Sequence, residues 1–312
     1  MDNNDLLNKL INSLLEDRRI ERRNKLIFRV FSGIFILFFL YILLFPSDRF
    51  SPTYEHTGLI EINGMISASS NASVEKIIPS IKKALDNELC IGVILKINSP
   101  GGSATQSKII FDEITKLRLN SKKPIYSVIE DMGTSGGYYI AASSDKIISN
   151  KSSIVGSIGV RIDSLNVKSF FDKLGIKSQS ITSGEDKLIL DPFKELSDKH
   201  KFHLQQLTSE IHNQFITDIQ KSRGNRITDD CLLSDNITNT GNCKIFSGLF
   251  WTGLEAYNLG LVDEHGSLYD VNKKYLKDRK IVNYTHKDNV LETVLQRSLS
   301  KILQNNYLNI NH

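Results

Sequence analysis

Residues 30–46 read VFSGIFILFFLYILLFP and carry no charge. With Ile27 and Phe28 ahead of Arg29, the apolar stretch reaches about 19 residues, roughly 28 Å of helix at 1.5 Å per residue. That nearly matches the hydrocarbon core of a bilayer, and no polar stripe marks it as one face of a soluble helix. A cleavable leader is the competing reading. The stretch is long for one, and its exit, FPSDRF, has no small-x-small cleavage site. Arg18, Arg19, Arg22, Arg23, Lys25 and Arg29 precede it, against Glu21 alone. Such cations stay on the cytoplasmic side, which predicts a tail at 1–26 inside, a single span at 27–46 in contact with membrane lipid, and the remainder translocated. No aromatic-rich basic face follows the cluster, so nucleic acid is not an expected partner.

Beyond a short polar linker at 47–57, the chain has the make-up of a globular domain, with 40% hydrophobic and 24% charged residues overall and a net charge of only +4. GLIEINGMI reads as a strand with a glycine break. Val74, Ile77, Ile78, Ile81 and Leu85 recur at helical spacing. CIGVILKI is a short continuous apolar run, as in a strand covered on both faces. SKIIFDEITKLRL is helical, PIYSVIED strand-like, YYIAASS the start of a helix, and KIISN and SIVGSIGV β-like. This alternation predicts a wound α/β domain with crossover helices. A long amphipathic helix is expected over 194–223, with Phe202, Leu204, Leu207, Ile211, Phe215 and Ile219 on one face for core or subunit packing. The polar end, 287–312, reads as a tail. Of three cysteines, Cys90 lies in an apolar run and is expected to be buried. Cys231 and Cys243 flank a polar loop that would face an oxidising compartment, where a disulfide is one option. The seven histidines do not cluster with cysteines, and no metal is expected.

Two glycine-bearing turns follow two apolar strands: Ser99-Pro100-Gly101-Gly102 and Gly133-Thr134-Ser135-Gly136-Gly137. Ligands gather beyond the C-terminal ends of strands in an open α/β sheet, where both turns are expected. Backbone N–H groups of such turns can converge into an oxyanion hole. Ser135 within G-x-S-x-G also fits the nucleophile elbow of α/β-hydrolases, an esterase reading that needs a downstream acid and histidine; Asp263, Glu264 and His265 are the candidates, although His265 reads as a lone surface residue in a turn. A penicillin-binding pattern surfaces at Ser143 to Lys146 and at Ser234 to Asn236. Ser80 to Lys83 matches equally well, and K-T-G is missing, so those matches are chance.

The runs GVILKINSPGG, VIEDMGTSGGYYIAASSDKIISNKSSIVGSIGV, SGEDK and GLVDEHGS together resemble the signal peptide peptidase A family of serine proteases, in its short SohB-like form. The similarity covers about residues 58–272 and is carried most specifically by S-G-G-Y-Y and G-S-I-G-V. It implies a Clp/crotonase-like α/β fold of repeated β-β-α units over 58–286. It implies Ser135 as nucleophile, Lys187 as general base, Ser157 as the residue positioning the lysine amine, and Gly101 and Gly136, with Gly102 beside them, as oxyanion donors. No cofactor is implied. A lysine near pKa 10.4 is protonated in water and cannot accept the serine proton, so the base needs an apolar setting, which Leu188, Ile189 and Leu190 are candidates to supply. The resemblance further implies an endopeptidase of the bacterial inner membrane, its catalytic domain on the periplasmic side, acting on peptides such as signal-peptide remnants or unfolded segments. Its expected assembly is a homo-oligomeric ring in which neighbouring subunits complete each site. A non-catalytic membrane scaffold with the same fold is the other alternative. Thr134 where alanine is commoner, the stretch 225–244, and the long N-terminal tail depart from the family pattern.

Overall fold

The structure, a computed structural model, describes residues 3–44, 52–227 and 244–286. Cys231, Cys243 and the tail at 287–312 lie outside the described residues. Two compact units separate along the chain. One holds α1 (Asn3–Leu44), 42 residues of unbroken helix and so about 63 Å long. Its stretch Arg18–Tyr41 is long and apolar enough to cross a membrane, and none of its most apolar window is buried against protein.

The second unit, Pro52–His286, is organised around β2 (Cys90–Ser99). Successive side chains of a strand point to opposite faces, so full burial of both Ile94 and Leu95 requires a layer on each side. Both layers are present. Val93, Leu95 and Ile97 belong to the larger core, with Ile77 and Ile81 of α2 (Val74–Asp86), Ile110 and Ile114 of α3 (Ala104–Asn120), Tyr138 of α4 (Gly136–Ala141) and Phe215 and Ile219 of α6 (Asp198–Arg223). Ile94 faces the smaller core with Val128 of β3 (Ile125–Thr134), Ile148 of β4 (Lys146–Ser149) and Val271 of α7 (Leu268–Tyr275). Each such side chain contributes about 1.5–3 kcal/mol on burial.

Among the described residues the strands form one eight-stranded sheet. Its main path runs β6 (Phe250–Thr252), β5 (Ile154–Gly156), β3, β2, β1 (His56–Asn63), β8 (Lys280–Asn283). Every pairing is parallel except β5 with β6. β3 forks: residues 126–129 pair with β4, which continues to β7 (Glu264–His265), and residues 132–134 pair with β5. A parallel sheet with crossover helices on both faces is the expected α/β architecture of the Clp/crotonase type.

Local sequence accounts for the element ends, with three differences from expectation. The β-like run SIVGSIGV is a strand only over β5, because Ser157 turns the chain with φ 53°. The helix expected from 194 begins at Asp198, where the Ser197 hydroxyl accepts the His200 N–H. His265 lies in β7 rather than in a surface turn, and both ring nitrogens are buried without a hydrogen-bond partner. Cys90 is fully buried as expected, and burial pushes its thiol pKa up.

Candidate active site

β2 and β3 run parallel, with Ser99 opposite Gly133, so the turns that follow them leave the sheet side by side. The second turn carries Ser135 into α4 with φ 50° and ψ −121°. A non-glycine residue in the positive-φ region is strained by about 1–3 kcal/mol and persists only when its surroundings over-determine it. Here they do. The Ser135 N–H donates to the Gly156 carbonyl at 2.8 Å, and its own carbonyl accepts the Tyr139 N–H at 2.9 Å. Gly101 closes the third side. Its φ is 96°, and a Cβ there would lie 2.7 Å from the Gly136 nitrogen and 2.8 Å from the Ser135 Cβ.

The first turn is fastened to residues 64–66. The Ile66 N–H donates to the Gly101 carbonyl at 2.8 Å, and the Ser103 N–H donates to the Ile66 carbonyl at 2.8 Å. Between these two bonds Gly102, at φ 152°, passes so close that a Cβ would meet the Ile66 carbonyl oxygen at 2.1 Å. The Gly101 N–H is already engaged, donating to Ser99 Oγ at 3.1 Å. The Ser99 hydroxyl in turn donates to the Gly64 carbonyl at 2.6 Å. Among the described residues, the N–H groups of Gly102 and Gly136 donate to no protein acceptor.

Ser135, Gly101, Gly102, Gly136 and Ser157 line one cleft of about 990 Å³. Ser157 is placed by β6 and the residue before it: its N–H donates to the Leu249 carbonyl at 2.7 Å, and the Trp251 ring of β6 packs on neighbouring Gly156. Apolar walls come from Met65, Ile109, Tyr139, Ile211 and Phe215.

Lys187 is not in the cleft lining. It is exposed, on an irregular stretch between α5 (Lys168–Lys173) and α6, and the run Leu188, Ile189, Leu190 does not enclose it. The physical reason is that the segment around it has little core of its own: α5 has no buried residue, and Leu165, Phe170, Leu174, Ile176 and Ile181 are all exposed. The lysine that does line the cleft is Lys108. Its ammonium sits 2.6 Å from Asp112 and 3.2 Å from Asp218, and Tyr139 also donates to Asp218. Burial works against the charge, but the two carboxylates outweigh it and hold Lys108 above the ordinary lysine range. It is a fixed cation, unsuited to accept a proton. His265 and Asp263 do not line the cleft either. Burial disfavours the Asp263 charge, yet Arg223 at 2.8 Å and Arg226 at 3.2 Å hold its carboxyl below the usual range. The Asp263 carboxylate is bound to arginine, so Ser135, His265 and Asp263 form no Ser-His-Asp arrangement.

Sequence reasoning missed the clamp at Ile66, the β6 contact behind Ser157, and the Lys108–Asp218–Tyr139 group. None has a local signature, since each joins residues distant in sequence. What the turns can do together is present a serine hydroxyl and two free N–H donors at one open place.

Residues 118–282, just over half of the chain, match the model of peptidase family S49. A protein named as a protease, MJ0651, of Methanocaldococcus jannaschii is 34% identical over 64% of this chain and 61% of its own length. One named as the protease SohB of Haemophilus influenzae is 27% identical over 81% of this chain and 66% of its own. A Brucella abortus protein named Na(+)/H(+) antiporter NhaA is 34% identical over 72% of this chain but only 28% of its own length. This chain thus spans little more than a quarter of the Brucella protein and under two thirds of the Methanocaldococcus one. Motifs, sheet and matched segment agree: the chain belongs to peptidase family S49, with the signal peptide peptidase A and SohB-like proteases.

Proposed function

We propose that the protein is a serine endopeptidase, anchored by α1, whose substrates are signal-peptide remnants and other unfolded or membrane-released segments. One observation carries the reading: Ser135 is held at the head of α4 in a strained conformation, inside an open cleft, beside two unengaged N–H groups. In the proposed reaction the Ser135 hydroxyl attacks the scissile carbonyl and a neutral Lys187 amine takes its proton. The oxyanion is received by the N–H groups of Gly102 and Gly136, because the Gly101 N–H is occupied by Ser99. The lysine then returns the proton to the leaving amine, and water hydrolyses the acyl-enzyme by the same route. Ser157 positions the amine.

Lys187 comes from a neighbouring copy in this reading. Two features support that. Among the described residues the cleft's one lysine is the ion-paired Lys108, and the stretch bearing Lys187 exposes Leu165, Phe170, Ile176 and Ile181, apolar surface of the kind that subunit contacts cover. A closed ring would let every copy both give and receive a lysine.

Peptidase turnover and fluorophosphonate labelling of the full chain test this. Ser135→Ala and Lys187→Ala should each lose turnover by orders of magnitude, because nucleophile and base act as a unit. Mixing the two inactive variants during expression should restore a measurable share, since one copy supplies the serine and another the lysine. Two dead variants whose mixture stays dead would refute the shared site. Undiminished Lys187→Ala turnover would refute the dyad.

A further inference from the structure

α1 continues without a break from its basic segment into its apolar one, so the two share a fixed helical phase. At 100° per residue, Arg18, Arg22, Lys25 and Arg29 fall within about 60° of one another and extend over about 16 Å of one face. Arg19 and Arg23 lie about 90° and 130° from the centre of this stripe, off its face. All six basic side chains are exposed. Among the described residues their one ion pair is the solvent-exposed Lys25–Glu21 contact at 2.7 Å, which neutralises little.

We propose that this stripe is a docking face for the anionic phospholipid headgroups of the leaflet on the N-terminal side, selecting them over zwitterionic ones. It rests on the anchor reading above and adds a lipid class to it. The uncharged run starts at Val30, so Arg29 at the edge of the expected span and Lys25 beyond it fall at the headgroup layer. Arg22 and Arg18 stand farther out, and Arg18 is about 16 Å above Arg29. The ordinary tilt of about 20° leaves Arg18 about 15 Å beyond Arg29, and at low salt, with a Debye length of about 30 Å at 0.01 M, the outer cations still feel the charged surface. Long arginine and lysine stems let the charges reach phosphate while their methylenes stay with the acyl boundary. Each cation near an anionic surface favours association by about fivefold, and salt screens the effect.

The test uses the full chain reconstituted in phosphatidylcholine bilayers with a trace of spin-labelled phosphatidylglycerol or spin-labelled phosphatidylcholine. The motionally restricted fraction reports lipid held at the protein. At low salt, phosphatidylglycerol should be preferred by about fivefold or more, and the preference should shrink at high salt. The variant Arg18→Gln/Arg22→Gln/Lys25→Gln/Arg29→Gln should bring the two lipids to parity, while Arg19→Gln/Arg23→Gln keeps most of the preference. Parity in the unaltered chain overturns the proposal by itself, whatever the variants do. A loss in the double variant about half that of the quadruple one, or larger, overturns the stripe, because the number of charges removed and not their face would then set the preference. A chain that restricts no lipid of either kind overturns the anchor, and the proposal with it.

Discussion

At the residue scale, the cleft depends on how closely two turns approach. Gly101 leaves no room for a side chain against Gly136 and Ser135. Gly101→Ala should fold but displace one turn from the other, and a shift of about 1 Å between reacting groups lowers turnover by about a hundredfold. Turnover of the purified variant beside an unchanged urea midpoint would show that geometry, not folding, is affected. On the proposed reaction, Ser157→Ala should reduce turnover by on the order of tenfold, less than loss of Lys187, because its proposed part is to position an amine without transferring a proton. A Lys187→Ala-sized loss would give Ser157 a larger part. Ser135, Gly101 and Gly136 were legible because glycine-rich turns after apolar strands dictate their own conformation. The occupied Gly101 N–H was not legible. It depends on the rotamer of Ser99 and on the Gly64 carbonyl, which the chain brings there only after folding.

At the element scale, continuous apolar runs located the central strands, because burial on both faces removes polar residues from both parities. The fork of β3 left no such trace. Its two halves, residues 126–129 and 132–134, have different neighbours, and pairing partners are set by tertiary packing. The same holds for His265, whose segment reads as a turn but adds to the sheet beside Ser149. Leu95→Ala should cost about 2–5 kcal/mol, since Leu95 is fully buried and its loss leaves a cavity in the larger core. Urea unfolding of the variant checks this. β7 also brings Glu264 to Lys146, Lys274 and Tyr275. Burial raises its pKa, but the hydrogen bonds from these groups prevail and lower it from 4.5 to about 2. A carboxylate whose folded pKa is depressed contributes stability above its unfolded value and loses it as pH falls toward the folded one. Stability should therefore decline between about pH 4.5 and 2. Glu264→Gln should flatten that part of the acid limb in thermal melts across pH, and an identical limb would mean the pair is inert.

At the scale of the whole molecule, one apolar helix and a basic flank set the expected topology, N-terminus inside and the Pro52–His286 unit outside. Reporter fusions at Ser51 and at the C-terminus should both mark the translocated side, and a cytoplasmic signal from either would reverse the assignment. The exposed placement of Lys187 has a further consequence once the proposed sharing of sites is granted. A copy alone in the bilayer would be inert, and activity would scale with encounters between copies, hence more steeply than linearly with their number per unit area. Confinement to two dimensions raises effective concentration, so modest expression would suffice for assembly. Diluting the same copies into excess lipid would silence them without any change in the chain, and a protease that can cut unfolded segments would switch on only where its own density is high.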